Sequence, residues 1–263
     1  MSGQSYGVWV WYPNSPSNDF DDSVVNKLQM MWDSGVRRLY LKGSDGIYPW
    51  QVTKQLANLI KSEGWEFSLW AWHYSYEPAV DEAVTLSMVA NAAPWDGLVL
   101  DIETEYKNLP ALTANESTKD FIVNVRNAWN GRPVWVSSFA LPQYHQGMPW
   151  RGLSEADGFM PQLFPGYQGI WKAPIADLLN QCALQHSDHV GDKPIIPCWE
   201  TYNELGGPME PERMKEILAT VDHPTIDFFR WGKMGEELWQ VLREHDAAAI
   251  VPPHDGEPFV WQP

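Results

Sequence analysis

Cysteine is scarce in this chain. Its 263 residues include two, Cys182 and Cys198. Two thiols build neither a disulfide framework nor a four-ligand zinc site, so neither export nor a structural metal follows from them. Basic residues are also few, 18 Lys and Arg against 34 Asp and Glu, which leaves a net charge of −16. A chain so acidic is repelled by phosphate backbones and anionic lipid, which argues against nucleic acid and charged membranes as partners. No apolar run reaches transmembrane length, and no basic-then-apolar leader follows Met1. The expectation is a soluble chain with no signal peptide and no membrane insertion, acting after release or as part of a larger assembly. Phosphate loops, dinucleotide fingerprints, zincin motifs and nucleophile elbows do not occur where a strand and helix would support them, so no cofactor is expected. His186 and His189 stand one helical turn apart but lack a further ligand nearby, so no metal is expected either.

Aromatic residues are abundant by contrast: 16 Trp, 10 Tyr and 9 Phe. Each ring either fills a core or offers a flat face for stacking, and with nucleobases disfavoured by charge, sugar rings are the better partner. The most informative stretch is 97–105, Gly-Leu-Val-Leu-Asp-Ile-Glu-Thr-Glu, an apolar run that ends in three alternating acids. In an extended strand Val99, Asp101, Glu103 and Glu105 share one face, and Leu98, Leu100 and Ile102 the other. A strand apolar on both faces belongs to a sheet covered on both sides, typically parallel. Acids at its C-terminal end lie where barrel enzymes place their chemistry, although a strand running out into water would look the same.

Strand-like runs and amphipathic helices alternate throughout. Strands are expected over 6–12, 37–43, 66–73, 97–105, 133–139, 158–164, 194–200 and 227–231. Helices striped by Val24, Val25, Leu28, Met31 and Trp32, or by Val52, Leu56, Leu59 and Ile60, end at Gly35 and Gly64. Asp21 or Asp22 is placed to cap the first helix. The segment 143–156 is rich in Gly and Pro and makes a poor helix. Eight strands with right-handed crossover helices close most economically into a single (β/α)8 TIM-type barrel, over 1–250, with 251–263 as an irregular tail.

With the strands placed, the chain resembles the family-25 glycoside hydrolases, the barrel lysozymes that cut peptidoglycan. The run 38–46 is similar to that family's strand ending in Lys before an acid-Gly turn. The run 69–74 is similar to its aromatic-His-aromatic strand end, and 98–103 to its Asp-x-Glu strand. Residues 158–164 and 229–232 resemble its late strands more weakly. Asp96, Gly97, Asp101 and Glu103 also fit part of the family-18 chitinase signature, with Val99 at its first inner Asp. The resemblance implies a glycosidase acting on an N-acetylated glycan, peptidoglycan or a chitin-like polymer, with Glu103 as the acid and Asp101 beside it. One departure stands out. The lysozyme family's first strand ends in an Asp, whereas here the stretch reads Gly7-Val8-Trp9-Val10-Trp11, and Asp19, Asp21 and Asp22 come later. A non-catalytic carbohydrate-binding barrel, such as a surface-recognition component of an assembly, is therefore the alternative.

Glycoside hydrolysis needs a proton donor plus a second carboxylate or the substrate's own acetamido group. Glu200 at the end of the seventh strand is the candidate nucleophile, or else a loop acid paired with a base. Lys42 could hold the carboxylates ionised, or form a structural salt bridge; His73 could position a hydroxyl, or simply be hydrogen-bonded. Gln162 could bond an N-acetyl group. Trp9 could narrow or cap the sugar site. Among Trp70, Trp72, Trp199 and Trp231, strand alternation makes some outward core residues and leaves one or two for stacking on sugar.

Overall fold

The computed structural model describes residues 4–11, 24–164, 173–202 and 207–246. The expected tail over 251–263, the acids Asp19, Asp21 and Asp22 and the proposed cap of the first helix lie outside the described residues.

Eight parallel strands close on themselves. They are β1 (Ser5–Val10), β2 (Val36–Asp45), β4 (Ser68–Ser75), β5 (Gly97–Ile102), β6 (Val134–Phe139), β7 (Gly158–Leu163), β8 (Cys198–Glu200) and β9 (Thr225–Phe229). Each pairs with the next, and β9 and β2 both pair with β1, so no barrel strand is left as an edge. A two-residue strand, β3 (Tyr48–Pro49), folds back antiparallel on the end of β2. The chain is thus a (β/α)8 barrel, with helices α1 (Val24–Asp33), α2 (Gln51–Ser62), α3 (Val80–Ala90), α4 (Ala114–Ala128), α6 (Ile175–Val190), α7 (Pro211–Thr220) and α8 (Glu236–Asp246) around it. The Gly- and Pro-rich stretch yields one short helix, α5 (Trp150–Leu153). Gly35 and Gly64 close α1 and α2 at positive φ of 79° each, a conformation glycine adopts without strain.

Helix packing follows the spacing of apolar residues. Phe121, Ile122 and Val125 of α4 are buried one turn apart, as are Leu56, Ala57 and Ile60 of α2. They meet the outward faces of the strands: Leu39 and Leu41, Leu69 and Ala71, Leu98 and Leu100. Inside the barrel a second cluster gathers Trp9, Tyr40, Trp70, Trp72, Val99 and Met160. Space for these rings comes from glycines on neighbouring strands. A Cβ on Gly97 would stand 2.5 Å from the Trp70 ring, and one on Gly158 2.6 Å from the Trp135 ring. At the N-terminal end of the barrel the interior is polar: Tyr40 donates to Asp227 Oδ2 at 2.8 Å, and Arg38 donates to the Tyr40 hydroxyl at 3.1 Å. A Cβ on Gly7 would sit 1.9 Å from Asp227 Oδ1.

Candidate active site

Alternation along the strands carries chemistry to the C-terminal mouth. On β5, Val99 and Asp101 point inward and Leu98, Leu100 and Ile102 outward, as the sequence pattern requires. The strand ends at Ile102, so Glu103 begins a single 3-10 turn over Thr104–Asn108, which brings Glu105 to the same cavity by a different route. Register sets Tyr74 of β4, Asp101 and Ser137 of β6 side by side. Gln162, inward on β7, reaches across to them.

One amide joins the two acids. Gln162 Nε2 donates to Asp101 Oδ1 at 2.8 Å and to Glu103 Oε1 at 2.9 Å, and lies 3.4 Å from Ser137 Oγ. Burial raises the pKa of Asp101 well above the ordinary carboxylate range, and repulsion from Glu103 adds to it, against the pull of Lys42 and the Gln162 bond. Burial likewise raises Glu103, opposed by Gln162 and helped by Glu105. Asp101 is 6% exposed, whereas Glu103 is half-buried and opens to the cavity.

The cavity has a volume of about 650 Å³. Its floor is Trp9, which is 1% exposed, stacks on Tyr40 at 5.1 Å and finds no acceptor for its indole N–H among the described residues. Lys42, 2% exposed, sits 4.8 Å from the ring centres of Trp50 and Trp72 and 5.1 Å from that of Trp11. Its ammonium donates to Asp45 Oδ2 at 2.5 Å. The wall beside it is built by two phenols, Tyr76 donating to Asp45 at 2.8 Å and Tyr74 to Glu105 at 3.0 Å. Burial pushes Tyr74 above its usual value, and the bond to Asp45 takes Tyr76 up to about 12. On the far side the His145 ring stacks on Phe139 at 3.7 Å, and the Lys107 ammonium lies 4.4 Å from the same Phe139 ring. Burial and the Lys107 charge lower His145 to about 4, so it is neutral near pH 7.

Several expected site residues lie elsewhere. His73 does not line the mouth: the alternation that turns Trp72 and Tyr74 inward turns His73 out, where it is fully buried against α3 and 3.0 Å from Glu82. Trp199 and Trp231 join the outer core under the helices, Trp231 packing on Trp239 at 4.6 Å. Glu200 is fully buried and contributes nothing to the cavity surface, which on that side is formed by Phe164, Tyr202 and Phe229. Lys42, Trp9, Trp72, Asp101, Glu103 and Gln162 do converge on the cavity. Reasoning from sequence overlooked Asp45, Tyr74, Tyr76, Phe139 and Tyr202. For Tyr74 and Phe139 the signal was available, because they continue the inward register of Trp72 and Ser137.

Both cysteines are buried free thiols. His186 is buried in α6 beside the carbonyl of Phe139, 3.2 Å from Nε2. Among the described residues no cluster of His, Cys, Asp and Glu has the makings of a metal site, and no helix is long and apolar enough to cross a membrane.

No family model matches the chain, and no curated protein matches it. Solved structures do. The glycoside hydrolase domain of PgaB (BpsB) from Bordetella bronchiseptica is similar with a TM-score of 0.66 at 13% identity, over 95% of this chain and 100% of that one. A GH5_18 protein from Bifidobacterium longum subsp. infantis gives 0.64 at 10% identity, over 97% and 81%. A tamarind chitinase-like lectin gives 0.51 at 13% identity, over 95% and 100%. At such identities the likeness establishes the architecture: this chain folds as the TIM barrel on which those glycoside hydrolases and that chitinase-like lectin are built.

Proposed function

We propose that the chain is a glycoside hydrolase acting on an N-acetylated glycan, either cell-wall peptidoglycan or a chitin-like polymer, with Glu103 as the general acid. The observation that carries this reading is the Asp101–Gln162–Glu103 group at the inner end of an aromatic-lined cavity. Burial favours the protonated form of Glu103, and its partial exposure leaves the carboxyl open to a substrate oxygen. Trp11, half-buried at the cavity wall, offers a ring of the kind that packs on sugars.

Because Glu200 stays outside the cavity, a nucleophile supplied by the substrate fits better than a retaining pair with that residue. In such a reaction Glu103 gives its proton to the leaving glycosidic oxygen as that bond to the anomeric carbon breaks. The acetamido carbonyl oxygen of the substrate bonds to the same carbon, while Asp101 accepts a hydrogen bond from the acetamido N–H. Water then adds to the anomeric carbon as the bond from the acetamido oxygen to that carbon breaks, and gives its proton to the Glu103 carboxylate, which restores the acid. Gln162 holds both carboxyl groups in place throughout.

Glu103→Gln keeps the shape and removes the transferable proton, so release of reducing ends from peptidoglycan or chitin oligomers should fall by about two orders of magnitude or more. Unchanged turnover in that variant refutes the assignment. Cleavage of glycans without N-acetyl groups at a similar rate counts against the substrate-assisted route.

A second reading rests on Trp9. It occupies the first-strand position at which the lysozyme family has an acid, and its ring fills the cavity floor. A barrel that binds the glycan without cutting it, as a recognition component of an assembly, would titrate with oligosaccharide and release no reducing ends.

A further inference from the structure

Behind the cavity wall runs a buried hydrogen-bonded chain that touches none of the cavity. Ser44 Oγ lies 2.8 Å from His73 Nδ1, and His73 Nε2 lies 3.0 Å from Glu82 Oε2. Ser75 Oγ donates to the same Oε2 at 2.6 Å and stands 2.7 Å from the Tyr106 hydroxyl. The other oxygen of Glu82 accepts the backbone N–H of Tyr76 at 3.0 Å and that of Glu77 at 3.4 Å. Ser, His and Glu in series have the composition of a hydrolytic triad. Ser44, His73 and Ser75 are nevertheless 0% exposed, so no substrate reaches the serine.

What the chain is tied to gives it a role. Its outer members adjoin residues of the cavity wall: Ser44 precedes Asp45, Ser75 lies between Tyr74 and Tyr76, and Tyr106 follows Glu105. The wall is tied a second time on its own side, by Tyr76 to Asp45 and Tyr74 to Glu105. Two strand ends and the 3-10 turn after a third strand are therefore registered against one carboxylate in the first turn of α3. An apolar layer would fill the same space without leaving buried polar groups to satisfy. Hydrogen bonds add direction, fixing the side chains on which the wall residues turn. The wall also stands outside the proton donor: Tyr76 is 48% exposed, while Glu103 is half-buried and Asp101 beneath it is 6% exposed.

We propose that Glu82 is a positioning residue which, through Ser75, His73 and the Tyr76 backbone, holds Asp45, Tyr76 and Glu105 as a binding wall for a sugar ring beyond the bond being cut. The proposal rests on the glycan reading of the cavity. It is tested by calorimetric binding of N-acetylglucosamine dimer and pentamer to the full chain carrying Glu103→Gln, which stops turnover, with thermal melting to verify folding. Adding Glu82→Gln should weaken the pentamer about tenfold and leave the dimer within about twofold. Tyr76→Phe should weaken the pentamer to a similar extent, and the two together no more than the worse of them, because both loosen the same wall. Equal losses on dimer and pentamer, additive losses, or no loss each overturn the proposal. Should Glu82→Gln fail to fold, Ser75→Ala removes a single donor and is held to the same pattern, with a pentamer loss of about threefold. A chain with native Glu82 that binds neither oligomer refutes the glycan reading itself, an outcome distinct from a length-independent loss.

Discussion

Replacing Asp227 by Asn separates a buried titration from every other acid in the molecule. Asp227 is fully buried at the N-terminal end of the barrel, and burial raises its pKa from 3.8 to about 6, against the opposing influence of Arg38 and the Tyr40 hydrogen bond. A rise of that size corresponds to about 3 kcal/mol. Its sign follows from proton counting. Between about pH 4 and pH 6 the unfolded chain has released the Asp227 proton while the folded chain still holds it, so folding stability falls as pH rises through that window. The whole loss is in place above the folded value. An Asn at 227 cannot titrate, and its fixed cost in packing and in the Tyr40 bond is the same at each pH. The stability difference between the native chain and Asp227→Asn should therefore shrink by about 3 kcal/mol from pH 3 to pH 7. Urea unfolding at each pH, followed by circular dichroism, gives both curves, and acids common to the two proteins cancel in the difference. A gap that stays constant, or that widens with pH, refutes the reasoning.

Activity should respond to pH through the raised Glu103. Its acid form persists above the ordinary value of 4.5, so kcat/KM should hold beyond that pH and fall as pH rises through the shifted value; a descending limb at or below 4.5 refutes it. Lys42→Met keeps a stem among the indoles but removes the charge that favours ionised Asp101, so Asp101 should hold its proton to higher pH than in the native chain, followed by carbon NMR of its carboxyl; an unchanged or lower titration refutes it. Gly7→Ala places a methyl against Asp227 and the Tyr40 ring and should cost about 1–3 kcal/mol in urea unfolding, unlike Gly235→Ala, whose Cβ meets nothing within 4 Å.

The barrel was legible because 97–100 is apolar on both faces and the helical stripes recur between strands. The same two-residue alternation places Asp101 on the inward face, as it lies in the barrel. It fails where strands end. Glu105 reaches the cavity from a 3-10 turn, which no strand period describes. Register slips between Lys42 and Ser44, so Lys42 pairs with Trp72 and Ser44 with His73, and a mouth position for His73 cannot be read from proximity to Lys42. Glu200 has the expected place at the end of its strand, yet that strand is three residues long and its wall is taken by aromatic rings. The pairing of Phe139 with His145 and Lys107 depends on loop conformation, which leaves no periodic trace in the sequence.

The glycines that face Trp70 and Trp135 bear on how this barrel can change over evolutionary time. At Gly97 and Gly158 the missing side chain is occupied by the indole of an adjacent strand. The two partners therefore share one volume, and neither can change size alone without an intermediate that is overfilled or hollow. Lineages that shrink the ring at 70 are the ones free to enlarge position 97, and the same holds for 135 and 158. Related chains should show these positions substituted in pairs, large for small and small for large, with the mouth carboxylates drifting independently of that exchange.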